Sequence, residues 1–279
     1  MTSPTETGPL DVLVCMKFVP DPNQLQADTD GRPDLARAPF RISTFDENAI
    51  EAALQLAARN GGRVFGLSVL AGRKPPRDVL LRALAMGLQG LYLIIDDAGV
   101  ATDPYRLTVA LAAASRMIAE TEAVPTWHLL ICGEASADEF NAQIGPRLAV
   151  ALDLPAITYA TRLEIEHGRL IASRTVEERS EIVEASLPAV ATVGMEINQA
   201  RMPTVLQVMG AGRKPLKEIQ ITALPGFDPT ILEQRPALRT IDVLAPPNAR
   251  KQTVIEGKSA AELAGALFNR LGADGALKY

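Results

Sequence analysis

Four short, almost wholly apolar runs recur along the first half of the chain, each followed by a polar loop and a longer amphipathic stretch. They span residues 11–17, 63–70, 90–95 and 127–132. Such runs are typical of parallel strands that helices cover on both faces, and the alternation of short and long segments indicates βαβ units. We therefore expect an α/β fold with a mostly parallel sheet flanked by helices.

The amphipathic stretches between these runs predict four helices. The first spans 46–60 and ends at two glycines, and the second begins after the prolines at 75–76. The third begins with a proline and spans about 104–120, and the fourth spans about 138–152. Proline at a helix start and glycine after a helix end are the usual signals for such boundaries.

The hydrophobic pattern changes after residue 155. A two-residue alternation over 156–195, with a His-Gly turn at 167–168, predicts an antiparallel β-addition to the sheet. Residues 196–257 hold seven prolines and no strong periodicity, yet keep Ile, Val, Leu and Phe, which predicts an arm laid on a partner. Residues 258–271 predict a final amphipathic helix with Ser259 as its N-cap.

These patterns divide the chain into three regions. We expect a disordered N-terminus over 1–10, an α/β domain over 11–195, and an extended C-terminal arm over 196–279 that ends in a helix. The length of 279 residues suits one large or two small domains with a sizeable core.

Charge and composition exclude several classes of function. Lys and Arg total 28 against 33 for Asp and Glu, and aromatic residues make up 4% of the chain, so we expect no nucleic-acid binding. No apolar run reaches the roughly 18 residues of a membrane span. The first ten residues have neither a basic start nor an apolar stretch, so we expect no signal peptide and a cytoplasmic protein.

Residue types that carry catalysis or bind metals do not form a known motif here. The G-x-G-x-x-G, G-x-x-x-x-G-K-[ST] and G-x-S-x-G patterns are absent from the sequence. Cys15 and Cys132 lie in apolar runs without C-x-x-C spacing, so we expect reduced core thiols. His128 and His167 are expected to have structural roles, and we expect no catalytic and no metal-binding residues.

The loop after the fourth apolar run is the strongest candidate for a binding site. Gly133 follows the strand, small and acidic residues continue to 143, and a helix comes next. Open parallel sheets bind ligands beyond the carboxyl ends of their strands, where free N–H groups at a helix start could hold a phosphate. The alternative is that Gly133 and Asp138 only shape the turn and cap the helix.

Five separated segments, in the same order, resemble one family. VLVCMKFVPDP resembles VLVAVKxVPDP, STFDENAIEAAL resembles NPFDExAIEEAL, and RALAMG is nearly identical to a helix ending of that family. LLICGEASADEFNAQIGP resembles LILCGxQAIDGDTAQVGP, and NQARMPTVLQVMGAGRKPLKEI resembles NEPRYPSLxxIMxAKKKPI. APPNARK at 245–251 resembles its C-terminal PPxR segment. Over about residues 11–272 the chain is similar to the β subunits of electron transfer flavoproteins, the group that includes FixA.

The resemblance implies an electron carrier subunit without bond-making chemistry of its own. Its partner would be an α subunit that carries the redox-active FAD, and residues 11–195 would bind a nucleotide: structural AMP, or a second FAD in electron-bifurcating members. Electrons would pass from acyl-CoA-type or other flavin dehydrogenases to a membrane quinone reductase. Residues 196–279 would hold a recognition loop, with Val205 or Leu206 as the anchor for a partner, and the arm that contacts the α subunit.

The implied cofactor-binding residues follow from the matching motifs. They are Cys15, Ser43, Thr44, Phe45, Asp46, Ala71, Gly133, Ala137, Asp138, Asn141, Ala142, Gln143 and Ile144. Phe45 and residues 19–22 would approach the flavin of the α subunit.

Departures from the family pattern bear on the nucleotide. Residues 142–146 read AQIGP, as in FixA-like and bifurcating members, but residues 102–107 lack the ADTxAT segment of the bifurcating members. Pro104 removes an N–H donor there and Arg106 is bulky, so we expect AMP, with a second FAD as the alternative. A stand-alone adenine-nucleotide-binding protein or hydrolase, with Asp138 at a metal, is the rival from another class; a proline-rich arm argues against it.

Overall fold

A computed structural model describes residues 9–99, 101, 103–177, 179–230, 238, 240–244 and 253–277. The strands in this part of the chain are β1 (Leu10–Cys15), β2 (Phe18–Pro20), β3 (Phe40–Ile42), β4 (Gly62–Ala71), β5 (Gly90–Asp96), β6 (Leu129–Gly133), β7 (Ala156–Glu166), β8 (Arg169–Val176), β9 (Arg179–Ser186), β10 (Ala189–Val193) and β11 (Leu216–Gln220). The helices are α1 (Thr44–Asn60), α2 (Arg77–Met86), α3 (Pro104–Thr121), α4 (Ile144–Leu152), α5 (Val205–Ala211) and α6 (Ala260–Ala273).

Nine of the strands form one sheet, in the order β11-β5-β4-β1-β6-β10-β7-β8-β9. Every pair from β11 to β7 is parallel, and the β7–β8 and β8–β9 pairs are antiparallel. At the centre, Leu13 of β1 is paired with Phe65 of β4 and with Leu130 of β6. The predicted α/β class, with a parallel sheet and an antiparallel addition, is confirmed.

Helices cover both faces of the sheet, as the wholly buried central strands require. Side chains of α1 and α2 pack on one face, around Val12, Val14 and Ile131. Side chains of α3 and α4 pack on the other face, around Leu13, Phe65 and Leu130. Burying each such side chain contributes on the order of 1.5–3 kcal/mol.

Two predicted element assignments are wrong. The fourth helix begins at Ile144 rather than near Asp138, because Phe140 and Ala142 have left-handed backbone, with φ of 53° each, which a helix does not allow. The last segment of the predicted antiparallel addition, β10, runs parallel between β6 and β7. All five residues of β10 are buried, which is the pattern of a central parallel strand.

The prediction that residues 196–257 do not pack on their own chain is also wrong in part. β11 pairs in parallel with β5 and forms one edge of the main sheet, and Ala211 at the end of α5 is fully buried. The chain therefore rejoins the main sheet after residue 195, through β11.

The two ends of the chain differ from the sheet domain. Residues 1–8 of the predicted disordered N-terminus lie outside the described residues, and Leu10 already belongs to β1. The APPNARK segment at 245–251 lies wholly outside the described residues. α6, further along the chain, has no buried residue in this chain. Within the described ranges, no helix combines the length and apolar character that crossing a bilayer requires.

Candidate functional site

The candidate site lies where β1 and β6 end and α1 begins. The Asp46 carboxylate, in the first turn of α1, accepts the backbone N–H of Lys17 at 2.8 Å and that of Gly133 at 3.2 Å. The Ser43 hydroxyl accepts the N–H of Ala137 at 3.3 Å. The start of α1 is therefore bonded to the loops that follow both strands.

Asp46 is an unusual acid because it is buried. Burial raises its pKa from 3.8 to about 7, although the N–H groups of Lys17 and Gly133 and the Lys17 charge act in the opposite direction. The carboxyl group is therefore half protonated near neutral pH. Its position also explains Gly133, since a Cβ there would lie 2.7 Å from both Asp46 Oδ1 and Phe45 Cβ.

An ion-pair cluster joins the end of β1 to the loop before α4. Lys17 Nζ lies 2.8 Å from Asp138 Oδ2 and 3.2 Å from Glu139 Oε2. Burial acts to raise the pKa of Asp138, but the charge and hydrogen bond of Lys17 outweigh it, so the net direction is downward. Asp138 is therefore ionised and held by Lys17.

The same loop is strained and presents an aromatic ring. Phe140, with left-handed backbone, is 65% exposed and packs its ring edge-to-face on Phe45, with 5.6 Å between ring centroids. Left-handed backbone is uncommon for non-glycine residues and is often found at binding sites.

The start of α4 has free hydrogen-bonding capacity. Gln143 is its N-cap residue and makes no side-chain cap hydrogen bond. Gly145, in the first turn, is explained by packing, since a Cβ there would lie 2.1 Å from Thr192 Cγ2. N–H groups at an uncapped helix start suit an anion such as phosphate.

Comparison with known proteins decides the family. The sequence profile described as the electron transfer flavoprotein domain matches residues 35–224. The chain belongs to the electron transfer flavoprotein family. The matched range runs from the loop before β3 to the turn after β11, so it includes α1, the β6–α4 loop and α5.

Two relatives place the chain among the β subunits of this family. It is 30% identical over 224 residues to the electron transfer flavoprotein subunit beta of Megasphaera elsdenii, covering 80% of this chain and 82% of the relative. It is 32% identical over 213 residues to the electron transfer flavoprotein subunit beta of Thermoanaerobacterium thermosaccharolyticum, covering 76% and 78%. The predicted resemblance is confirmed.

The fold brings the cofactor residues expected from the family motifs to the end of the sheet where the parallel strands have their carboxyl ends. Cys15 ends β1, Ala71 ends β4 and Gly133 ends β6, on three neighbouring strands. The residues of α1 in this set are Thr44, Phe45 and Asp46, with Ser43 as N-cap, and those of the β6–α4 region are Ala137, Asp138, Asn141, Ala142, Gln143 and Ile144. Their cofactor role stays a prediction.

Cys15 and Cys132 face each other on β1 and β6. The hydrogen bond with Cys15, together with burial, raises the pKa of the Cys132 thiol well above its usual range. Both thiols are buried and free, and they pack in the core on the face of the sheet that α3 and α4 cover.

Three further residues belong to the site, and the sequence patterns do not single them out. Lys17 is the last residue of the first apolar run, and a lysine at the carboxyl end of a buried strand is itself a signal of a site. Phe140 lies in a stretch of small and acidic residues, which has no pattern that indicates an exposed ring. Burial raises the pKa of Glu134, and the neighbouring Glu196 charge adds to the shift.

Val205 and Leu206, the predicted anchor for a partner, lie away from this cluster on α5. They are 76% and 81% exposed. Neither side chain therefore packs in the core of this chain by itself.

Proposed function

We propose that the chain is the β subunit of a heterodimeric electron transfer flavoprotein. In this role it binds an α subunit that holds most of the FAD site, and the complex carries electrons from flavin dehydrogenases to a membrane quinone reductase. The chain itself makes and breaks no bonds. The family match over residues 35–224 carries the proposal.

The C-terminal helix supports the need for a partner. Leu263, Leu267 and Leu271 recur every four residues along α6, next to Phe268, and all four are exposed in this chain. An apolar stripe of this kind is typical of a helix that is buried against another subunit. We assign the α subunit as the protein that covers it.

We propose AMP as the nucleotide of this subunit. The N–H groups of Ala142, Gln143 and Ile144 would hold its phosphate at the start of α4. Phe45 at the start of α1 and Cys15 at the end of β1 would line the opposite wall of the AMP site. AMP supplies no redox chemistry, so its role is to stabilise the complex. Lys17 keeps the loop in place through Asp138.

The start of α3 favours AMP over a second FAD. Asp103 accepts the N–H groups of Tyr105 and Arg106 at 2.8 and 3.2 Å, and Pro104 has no N–H. The start of α3 is thus capped by the chain's own carboxylate, in contrast to the start of α4. The diphosphate of a second FAD would find few N–H donors at the start of α3.

A stand-alone adenine-nucleotide-binding protein or hydrolase is less well supported. Asp138, the proposed metal ligand of that alternative, is paired with Lys17. Among the described residues, no three His, Cys, Asp or Glu side chains cluster as metal ligands do.

We place the protein in the cytoplasm, and propose that Val205 and Leu206 dock the dehydrogenase.

Co-expression with the α subunit of the same organism tests the main proposal. We expect a yellow heterodimer that releases FAD and AMP in about equal amounts on denaturation, because one site holds each. A colourless monomer that binds no α subunit would contradict it, and two FAD without AMP would indicate a bifurcating subunit.

A further inference from the structure

A short segment with exposed apolar side chains is held to the sheet domain at both ends. This docking segment comprises residues 202–211 and includes α5. Met202 and Met209 are 80% and 73% exposed, and Val205 and Leu206 are exposed to a similar extent. Ala211, the last residue of the docking segment, is fully buried. An isolated helix of seven residues is not stable in water, so its shape must come from its attachments.

The first attachment joins residues 198–201 to the middle of α1. Asn48 Nδ2 donates to the Asn198 carbonyl at 2.7 Å, and Asn198 Nδ2 donates to the Asn48 carbonyl at 3.0 Å. One turn later, the Arg201 guanidinium donates to both oxygens of Glu51, through Nε at 2.5 Å and Nη2 at 2.9 Å. The Glu51 side chain is only 6% exposed.

The second attachment joins the other end to α2. Lys214 Nζ donates to the carbonyls of Leu84 and Leu88 at 3.0 and 2.8 Å, where α2 ends. Burial lowers the pKa of Lys214, which is the expected effect of taking an ammonium group out of water. The Pro215 carbonyl then accepts the N–H of Leu91 at 3.0 Å and leads into β11.

We propose that Arg201 and Lys214 are positioning residues, which hold the docking segment in its binding shape before a partner arrives. This inference rests on the proposed function, since it assumes that the docking segment binds the dehydrogenase. A flexible segment loses conformational freedom when it binds, and two fixed ends reduce that loss. The bidentate pair with a buried carboxylate fixes geometry as well as charge.

Hydrogen exchange of the free heterodimer separates positioning from direct contact with a partner. In Arg201→Met we expect the amides of residues 205–211 to exchange at least tenfold faster, with unchanged exchange in β1 and β6. Arg201→Lys keeps the charge but cannot donate to both oxygens of Glu51 as the guanidinium does. The exchange rate of the same amides should therefore lie between those of wild type and Arg201→Met. Arg213→Met is the matched control, because it removes an exposed cation of the same region that makes no ion pair among the described residues.

Kinetics with a flavin dehydrogenase that reduces the wild-type heterodimer supply the second readout. We expect the KM for the heterodimer to rise about tenfold in Arg201→Met while kcat and flavin content stay normal. Unchanged exchange of residues 205–211 would overturn the inference, whatever the KM. If Arg201→Met gives no flavin-containing heterodimer, hydrogen exchange of residues 205–211 and the KM for the heterodimer are measured on Lys214→Met instead. The same results would then support or overturn the inference. Failure of the proposed function is distinguishable, because the wild-type heterodimer would then show no saturable reduction by any flavin dehydrogenase.

Discussion

Lys17 and Asp138 form an ion pair across the carboxyl edge of the sheet, with 2.8 Å between Nζ and Oδ2. The pair links the end of β1 to the strained loop that precedes α4. Both side chains are partly exposed, so the pair contributes about 1 kcal/mol or less to stability. Its main effect is to fix where the loop lies.

Lys17→Met should therefore loosen the loop more than it destabilises the fold. We expect AMP content per heterodimer to fall several-fold, while the melting temperatures of variant and wild type, compared after AMP has been removed from both, differ little. Chromatography of the supernatant after denaturation measures the nucleotide. Lys74→Met is the matched control, since it breaks an ion pair with Glu218 of β11. Equal AMP loss in both variants would contradict a local role for Lys17.

Asp46 predicts a pH dependence of stability. Its folded pKa of about 7 lies above the unfolded 3.8, so between these values the folded chain binds a proton that the unfolded chain has released. Stability falls as the pH rises through this window, by about 4 kcal/mol for a shift of about three pKa units.

Asp46→Asn should flatten this dependence. The neutral amide cannot ionise, although it keeps only one acceptor for the N–H groups of Lys17 and Gly133. We expect the variant to be less stable than wild type near pH 4 and to lose less stability towards pH 8. Melting temperatures of the two heterodimers across this range measure the difference. Parallel curves for variant and wild type would show that Asp46 does not titrate there.

The parallel strands could be predicted from the sequence because their burial makes them almost wholly apolar. The same criterion fits β10, but the two-residue alternation before it favoured an antiparallel assignment. The start of α4 could not be predicted, because the left-handed backbone of Phe140 and Ala142 has no signal in those side chains. The pairs of Asn48 with Asn198 and Glu51 with Arg201 join residues 150 positions apart, which no local pattern shows.

The exposed pair on α5 predicts a docking defect. Val205→Ala combined with Leu206→Ala removes exposed apolar surface and leaves the buried Ala211 in place. We expect dehydrogenase binding to weaken by about 1–3 kcal/mol, which corresponds to roughly tenfold or more in the KM for the heterodimer. Loss of flavin or of folded protein, with normal affinity per folded molecule, would show instead that the two side chains pack in the core of the complex.

The apolar stripe of α6 predicts an assembly defect. Leu263→Asp combined with Leu267→Asp places two charges on the face that we assign to the α subunit. We expect the yield of heterodimer to fall strongly in co-purification, because two unpaired charges would be buried. Asn269→Asp, on the opposite side of the helix, is the control and should assemble normally. Normal assembly of the double variant would remove α6 from the interface.

Anaerobic reduction of the heterodimer by a substrate-loaded flavin dehydrogenase tests whether the complex carries electrons. The flavin absorbance of the complex reports electron uptake, and subsequent addition of a quinone reductase with quinone reports electron release. We expect the flavin to be reduced by the dehydrogenase and then reoxidised by the quinone reductase. Neither subunit of the heterodimer should convert the substrate of the dehydrogenase by itself. A purified, flavin-containing heterodimer that no flavin dehydrogenase reduces would contradict it.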